Sequence, residues 1–156
     1  MNHLKNIEKM AHFMRRKILD ISFQSSHAAH LGGGLSMVEV MATLYSHILN
    51  FDKDNPRWEQ RDRFILSKGH GVLGYFSALL AAGFISEEKF ATYLTNESDL
   101  IAHPIMNLDL GIESSNGSLG QGLSFGLGMS LGFKKRNQDR KVFVLLGDGE
   151  CNEGSV

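Results

Sequence analysis

The chain has a single cysteine, Cys151, so it cannot form a disulfide within itself. Its cysteine content therefore gives no sign of an oxidising compartment, and we expect a cytoplasmic protein. The chain also lacks a run of about 18 apolar residues, which a membrane-spanning helix needs. Its N-terminal segment is charged where a secretory signal would be apolar. We expect no membrane association and no targeting signal.

The chain also has no marked excess of acidic or basic residues. The chain has 16 basic and 17 acidic residues and a formal net charge of -1, so no overall field attracts nucleic acid. We expect no nucleic acid partner, whereas small ligands held by local groups remain open. A length of 156 residues suits one domain with a sizeable core.

Apolar residues at steps of three and four predict an amphipathic helix over residues 4–21. Ser36 and Glu39 have the spacing of a capping box, which predicts a second helix that begins at Ser36 and carries a buried stripe to residue 49. Glycines 32–34 are expected to form a loop, because glycine is costly in a helix. Further helices are expected through residues 75–80 and from Ser86.

Two short apolar runs, residues 64–66 and 142–146, predict strands, and the second is expected to be covered on both faces. Each run ends in a polar, glycine-rich loop. Residues 67–71 combine a hydroxyl, a cation and an imidazole, which suits an anion, and Gly147 is followed by an acid. Open α/β sheets bind ligands at the carboxyl ends of their strands. The pattern therefore predicts an α/β fold with a parallel sheet flanked by helices.

Residues 119–133 combine a helical period with many glycines, and leucines recur there at every fourth position. Each glycine inside a helix costs about 1 kcal/mol relative to alanine. Close approach of another helix or of a ligand to the bare backbone would offset this cost. We therefore expect a buried helix in a tight contact, most simply between subunits.

Polar residues of chemical interest fall in four loops: 27–34, 67–71, 117–122 with His103, and 147–153. The irregular stretch 95–116, which contains His103, is long for a compact domain, and such loops are usually functional or disordered. An acid at Asp148 after a strand often meets a metal. An isolated Gly-Asp-Gly is, however, more often a helix cap.

Three common sites are not supported. His27 and His30 lie three apart, but no second histidine pair and no cysteine pair completes a zinc site. A dinucleotide-binding Gly-x-Gly-x-x-Gly after an early strand is missing, and so is the Gly-x-Ser-x-Gly of a serine hydrolase.

Six sequence blocks, in order, resemble the N-terminal half of transketolases, most closely the form split between two polypeptides. The blocks are residues 30–36, 62–70, 103–104, 111–113, 117–122 and 147–154. The resemblance implies a thiamine diphosphate-binding fold, incomplete in residues 1–156. It implies transfer of a two-carbon ketol unit from a ketose phosphate to an aldose phosphate. The implied cofactors are thiamine diphosphate and a divalent metal, Mg²⁺ or Ca²⁺.

The resemblance also implies roles for individual residues at the cofactor. Asp148 matches a metal ligand beside the diphosphate, and Gly149 lies in the same motif. His70 matches a histidine near the diphosphate, and Gly117 and Leu119 match backbone positions at the aminopyrimidine ring. The carbanion chemistry would belong to the cofactor, with the protein supplying orientation and electrostatics.

His30 and His103 match catalytic residues of the substrate channel, which hold hydroxyls and move protons. Imidazole titrates in the range that this task needs. Leu31 and Leu110 stand where the family usually has proline, and both lie beside the channel or the cofactor loops. These departures leave the sugar open.

Residues 1–156 are expected to be the N-terminal, diphosphate-binding domain, ending inside the Gly-Asp-Gly motif. The implied partner is a C-terminal transketolase subunit or domain, in a homodimer or heterotetramer when complete. The alternative is a truncated, non-catalytic remnant that acts as an assembly or binding module.

Overall fold

The structure is a computed structural model that describes residues 2–25 and 29–156; His27 lies outside the described residues. Two parallel strands are separated and flanked by helices, which confirms the predicted α/β fold class. The helices are α1 (Asn2–Gln24), α2 (Leu31–Leu35), α3 (Val38–Thr43), α4 (Val72–Ala82), α5 (Glu87–Phe90) and α6 (Gln121–Lys135), and the strands are β1 (Arg63–Leu66) and β2 (Val142–Leu145).

Shorter turns complete the described chain. A π-helical turn, Leu44–Ile48, extends α3, and 3₁₀ turns cover Gly69–Gly71, Leu108–Leu110 and Gly149–Asn152. None of the helices over residues 2–25 and 29–156 combines the length and the apolarity that a bilayer crossing requires.

The two strands pair in parallel, with Phe64 opposite Phe143 and Leu66 opposite Leu145. Both strands and their parallel arrangement are therefore confirmed. β1 is buried, and β2 is half-buried along its whole length. Val144 of β2 packs on Gly126 of α6, and Phe143 and Leu145 pack on the core, so both faces of β2 are covered as predicted. The remaining exposure comes from its edge, because in the described residues β2 pairs with β1 alone.

The hydrophobic core lies between α1, α3 and α4. Met14 and Ile18 of α1, Met41 of α3 and Phe76 of α4 are completely buried there. Almost every residue of α4 is buried, because this helix is apolar on all sides and occupies the centre. The predicted amphipathic helix over residues 4–21 is confirmed and extends over the whole of α1.

The glycine-rich segment before α3 departs from the sequence prediction. Residues 31–35 form α2 rather than a loop. A Cβ atom at Gly33 would lie 2.8 Å from Cδ2 of His70, and one at Gly34 would lie 3.1 Å from the backbone nitrogen of Gly74. The bare backbone of α2 therefore packs directly on the loop after β1 and on α4. This packing offsets the conformational cost of helical glycine.

The predicted capping box is wrong, because α3 begins at Val38 and not at Ser36. The Ser36 hydroxyl instead donates to the Gly33 carbonyl and accepts a hydrogen bond from Nζ of Lys68. Glu39 forms an ion pair with an arginine of α1. Ser36 and Glu39 therefore bond to partners elsewhere in the fold and do not cap α3.

The predicted buried stripe after Ser36 is only partly correct. Met41 and Tyr45 are buried, but Val40 and Ile48 are 45% and 43% exposed. The π-helical turn Leu44–Ile48 inserts an extra residue per turn, so the helical phase changes after residue 43. A strict 3.6-residue period cannot foresee this change.

The glycine-rich helix α6 packs closely on the sheet of its own chain. Gly122 and Gly126 are buried, and a Cβ atom at Gly126 would collide with Cγ2 of Val144 in β2. The expectation of a close backbone contact is therefore confirmed. Within this chain the outer face of α6 is exposed, with Phe125 and Leu127 at 48% and 60%, so its burial depends on another subunit. The contact between subunits stays a prediction.

Two glycines of α6 allow a matched test of this packing. We expect Gly126→Ala to destabilise the protein by about 1 to 3 kcal/mol, because its methyl group has to displace Val144. Gly128 has open space around it, so Gly128→Ala is expected to stabilise the helix by up to about 1 kcal/mol. Urea denaturation measures both changes. Stabilisation by Gly126→Ala would contradict the close contact.

A buried ion pair fixes the long loop against the start of β1. Arg61 and Glu113 are 4% and 5% exposed and form a salt bridge, and Nε of Arg63 lies 3.5 Å from Glu113. Burial lowers the pKa of Arg61, and burial together with the neighbouring Arg61 lowers that of Arg63 to about 10. Glu113 is thus the counterion for two partly desolvated cations, and it holds the residues that lead to Gly117.

We expect Glu113→Gln to lower the free energy of unfolding by about 3 to 5 kcal/mol, because Arg61 would keep its charge and lose its buried counterion. Asp109→Asn is the matched control, since this carboxylate also pairs with an arginine, Arg57, but at the surface. Asp109→Asn should lower the free energy of unfolding far less than Glu113→Gln. Equal losses for the two variants in urea denaturation would contradict the role of burial.

Candidate functional site

The site residues come together at one edge of the sheet. β1 and β2 run in the same direction, so the loops that follow Leu66 and Leu145 leave the sheet side by side. The start of α6 joins them, because the amide of Gly122 donates to Oγ of Ser67, at 3.1 Å. The two loops predicted after the strands and the loop before α6 therefore form one surface.

Three of the predicted site histidines form a cluster on this surface. The ring centroid of His30 lies 5.9 Å from that of His70 and 6.1 Å from that of His103. His30 is exposed just before α2, whereas His70 and His103 are half-buried. Residues that are up to 73 positions apart in sequence (103 − 30) are thus neighbours. We call His30, His70 and His103 the histidine cluster.

Close contact between loops explains how the histidine cluster is held. A Cβ atom at Gly69 would lie 2.6 Å from the carbonyl oxygen of Asn116 and 2.9 Å from Cδ2 of His103. Glycine at this position therefore lets the loop of His70 touch the loop of His103. Gly117 is exposed next to His103, and Leu119 is half-buried. Gly117 is thus accessible beside the histidine cluster, and Leu119 is partly accessible two residues further along the chain.

Asp148 and Gly149 lie on the loop after β2, at the same edge of the sheet. Both are exposed, and there is open space around Gly149. The Asp148 carboxylate is close enough to Lys68 to act on its charge. In the described part of the chain no group of three or more acidic, histidine or cysteine side chains could hold a metal by itself. Any metal at Asp148 would need further oxygen ligands.

A buried acid, Glu150, joins the loops of the site, and the sequence analysis did not assign it a role. Its Oε1 accepts hydrogen bonds from the hydroxyl of Ser67 and from the amide of Gly120, the latter at 2.8 Å. Its Oε2 accepts from the amide of Gly147, at 2.8 Å. We call these four residues the Glu150 network. A serine at the end of one strand and an acid just after the other were the only signals in the sequence.

The charge of Glu150 is well compensated despite its burial. Burial alone would raise the pKa of this carboxyl group, but the hydrogen bonds from Ser67, Gly120 and Gly147 outweigh burial and hold it below its usual value. The side chain also lies at the N-terminus of α6, where the helix dipole favours a negative charge. Glu150 is therefore ionised at neutral pH.

Lys68 is a second site residue without a role in the sequence analysis beyond its contribution to an anion-binding loop. It is 8% exposed, and its Nζ donates to Oγ of Ser36, at 2.9 Å. Burial lowers the pKa of Lys68, and the charges of Asp148 and Glu150 act in the opposite direction. A half-desolvated cation between the two loops is suited to a ligand with several negative charges.

The pKa of His70 is lowered, first by burial and then by the charge of Lys68 and by the neighbouring His30. His70 is therefore neutral at neutral pH. The imidazole of His70 therefore has a lower pKa in the folded chain than in the unfolded chain. As the pH falls below the unfolded-state pKa, protonation favours the unfolded chain, and His70 lowers the stability. A neutral imidazole can both donate and accept a hydrogen bond.

We expect Lys68→Met to raise the pKa of His70, because it removes the second-largest cause of the lowered value. The rise should be partial, since burial, the largest cause, is unchanged. Proton NMR titration of the imidazole measures the shift. Lys89→Met is the control, because it removes a lysine of α5 that pairs with Asp99. An unchanged or lower His70 pKa in Lys68→Met would contradict the assigned cause.

Comparison with known proteins agrees with this geometry. The family profile described as transketolase, thiamine diphosphate binding domain, matches residues 7–156. The chain is 41% identical over 149 residues to an apulose-4-phosphate transketolase subunit from Actinobacillus succinogenes, covering 96% of this chain and 54% of that one. It is 39% identical over 127 residues to the 6-deoxy-6-sulfo-D-fructose transketolase subunit SqwG from Clostridium, covering 81% and 46%.

Solved structures show the same likeness. The chain superposes on transketolase from Campylobacter jejuni with a TM-score of 0.87 and 29% identity, covering 99% of this chain and 25% of that one. It spans about half the length of the curated relatives that it matches first.

Proposed function

Since this chain belongs to the transketolase family through its thiamine diphosphate-binding domain, we propose that residues 1–156 are the N-terminal, cofactor-binding part of a transketolase. The enzyme transfers a two-carbon ketol unit from a ketose phosphate to an aldose phosphate. The observation that carries this proposal is the meeting of the histidine cluster with the Asp148 loop at one edge of the sheet.

The residues present fit a diphosphate with a divalent metal. Asp148 offers an exposed carboxylate on the loop after β2, and Mg²⁺ is commonly held by one or two carboxylates together with phosphate oxygens and water. Ca²⁺ accepts the same oxygen ligands. Lys68, enclosed beside this loop, would offset further negative charge of the diphosphate. Gly117 and Leu119 would face the pyrimidine ring from the loop before α6.

When bound, thiamine diphosphate supplies the electron sink that ketol transfer needs. The chain's own contribution is orientation and proton movement. The rings of His30 and His103 are 6.1 Å apart between centroids and reach the surface, so both could hold sugar hydroxyl groups and move protons there. His70, held neutral, could donate a hydrogen bond next to the diphosphate.

We propose that a separate C-terminal subunit or domain completes the enzyme. The relatives from Actinobacillus and Clostridium carry the word subunit in their names, which supports a partner polypeptide. A homodimer or a heterotetramer of the two parts is the corresponding assembly. The sugar is proposed only by class, as a ketose phosphate or a ketose of similar size. The names of the relatives make apulose 4-phosphate and 6-deoxy-6-sulfofructose the first donors to assay.

Two variants of the complete assembly test the roles of the site residues. We expect His103→Ala to lower kcat more than it lowers cofactor affinity, because an imidazole that moves protons acts mainly in the transition state. Asp148→Ala should lose the cofactor on gel filtration, because the metal that holds the diphosphate loses its protein carboxylate. Steady-state kinetics and calorimetric titration with thiamine diphosphate and Mg²⁺ measure the two effects.

His12→Ala is the control, since this histidine is exposed on α1 and outside the site. His12→Ala should leave both kcat and the affinity for the cofactor unchanged. The residue assignment is wrong if His103→Ala keeps kcat within about twofold or if Asp148→Ala retains the cofactor. The function itself is contradicted if the assembly shows no ketol transfer with any ketose phosphate donor or with 6-deoxy-6-sulfofructose.

A further inference from the structure

A single buried side chain links the three loops that carry the site. Glu150 is 3% exposed. Its carboxylate accepts hydrogen bonds from Ser67 after β1, from Gly120 before α6 and from Gly147 after β2. The Ser67 hydroxyl also accepts from the amide of Gly122. No other side chain in the described residues hydrogen-bonds to all three loops.

Each partner of Glu150 stands next to a residue of the site. Gly147 directly precedes Asp148, Gly120 directly follows Leu119, and Ser67 directly precedes Lys68. Moving any of these hydrogen bonds would therefore move a neighbouring site residue. Because Glu150 is enclosed, it acts through the Ser67 hydroxyl and two backbone amides and is out of reach of a sugar.

We propose that Glu150 is a positioning residue that sets the spacing between the Asp148 loop, the Leu119 loop and the Lys68 loop, and thereby the affinity of the site for a metal-bound diphosphate. This inference rests on the proposed function for the identity of the ligand. It adds a residue outside the predicted ligands to the determinants of cofactor binding.

The two oxygens of Glu150 have different partners, and this difference makes the proposal specific. Oε1 serves Ser67 and Gly120, whereas Oε2 serves Gly147 alone. A glutamine can keep one carbonyl oxygen for the first pair of donors. Its NH₂ group would then face the amide of Gly147, and two donors cannot form a hydrogen bond. Glu150→Gln should therefore break the turn inside the Asp148 loop, between residues 147 and 150, while Oε1 keeps its hydrogen bonds from Ser67 and Gly120.

The test compares Glu150→Gln with Glu8→Gln, which makes the same chemical change at an exposed position of α1. Both are made in the complete assembly and titrated with thiamine diphosphate in the presence of Mg²⁺. We expect Glu150→Gln to raise the Kd about 10- to 100-fold, the usual effect of losing a residue that supports metal ligands. Glu8→Gln should leave the Kd unchanged.

Two further readouts separate positioning from a general structural role. At saturating cofactor Glu150→Gln should recover the wild-type KM for the sugar, because the substrate channel is intact. Hydrogen exchange should become faster at the amide of Gly147, with the amides of α4 unchanged. Recovery of affinity at high Mg²⁺ would also support the proposal. An unchanged Kd, or a loss of protection spread over the whole chain, would overturn it.

Ser67→Ala keeps the proposal testable if Glu150→Gln does not fold. This variant removes one donor to Oε1 and keeps the carboxylate, so we expect a smaller rise in the Kd. Because Ser67→Ala acts on Oε1 and Glu150→Gln acts on Oε2, the double variant should bind the cofactor more weakly than either single variant. A double variant no weaker than Glu150→Gln would contradict separate roles for the two oxygens. If the wild-type assembly binds no thiamine diphosphate, the proposed function fails, while the exchange at Gly147 still reports on the link itself.

Discussion

The structure of the site depends on a carboxylate buried between three chain segments. An ionised acid without partners is very unfavourable in a protein interior. Glu150 is stable there because a hydroxyl and two backbone amides converge on it, beside the N-terminus of α6. The same hydrogen bonds hold the ends of β1 and β2 against α6. The network therefore stabilises the fold and shapes the ligand-binding edge at once.

Polar links of this kind recur around the site. Lys68 reaches Ser36 beneath α2, and Arg61 with Glu113 anchors the loop that leads to Gly117. Apolar packing forms the core between α1, α3 and α4 and reaches the last residues of the strands, Leu66 and Leu145. The edge stays open to solvent, and the histidine cluster is only partly buried. A site for a charged ligand needs this combination of fixed polar groups and access.

Glycine makes the close approach of these segments possible. At Gly126 a side chain would collide with β2, and at Gly69 it would collide with the loop of Asn116 and His103. The unfavourable helix propensity of glycine is thus offset by tertiary contact. The outer face of α6, with Leu127 and Leu131 exposed, shows that only one side of the glycine-rich helix contributes to this contact.

Much of the protein could be predicted from the sequence, because period and composition report directly on burial. The amphipathic helix α1, the two apolar strands and the polar loops after them were all predicted correctly. So was the family, since six short blocks keep their order. The histidine cluster was predicted as a set of site residues, and the structure brings the ring of His30 within about 6 Å of those of His70 and His103.

Other features were decided only by tertiary structure. The sequence favours a capping role for Ser36 and a loop at glycines 32–34, but contacts with Lys68, His70 and α4 override both preferences. The role of Glu150 was equally hidden, because its partners are 83, 30 and 3 positions away in the chain. Local pattern determines which segments are helices, strands and loops. Which buried polar groups find each other depends on how those segments pack, since a hydrogen bond between distant residues leaves no period in the sequence.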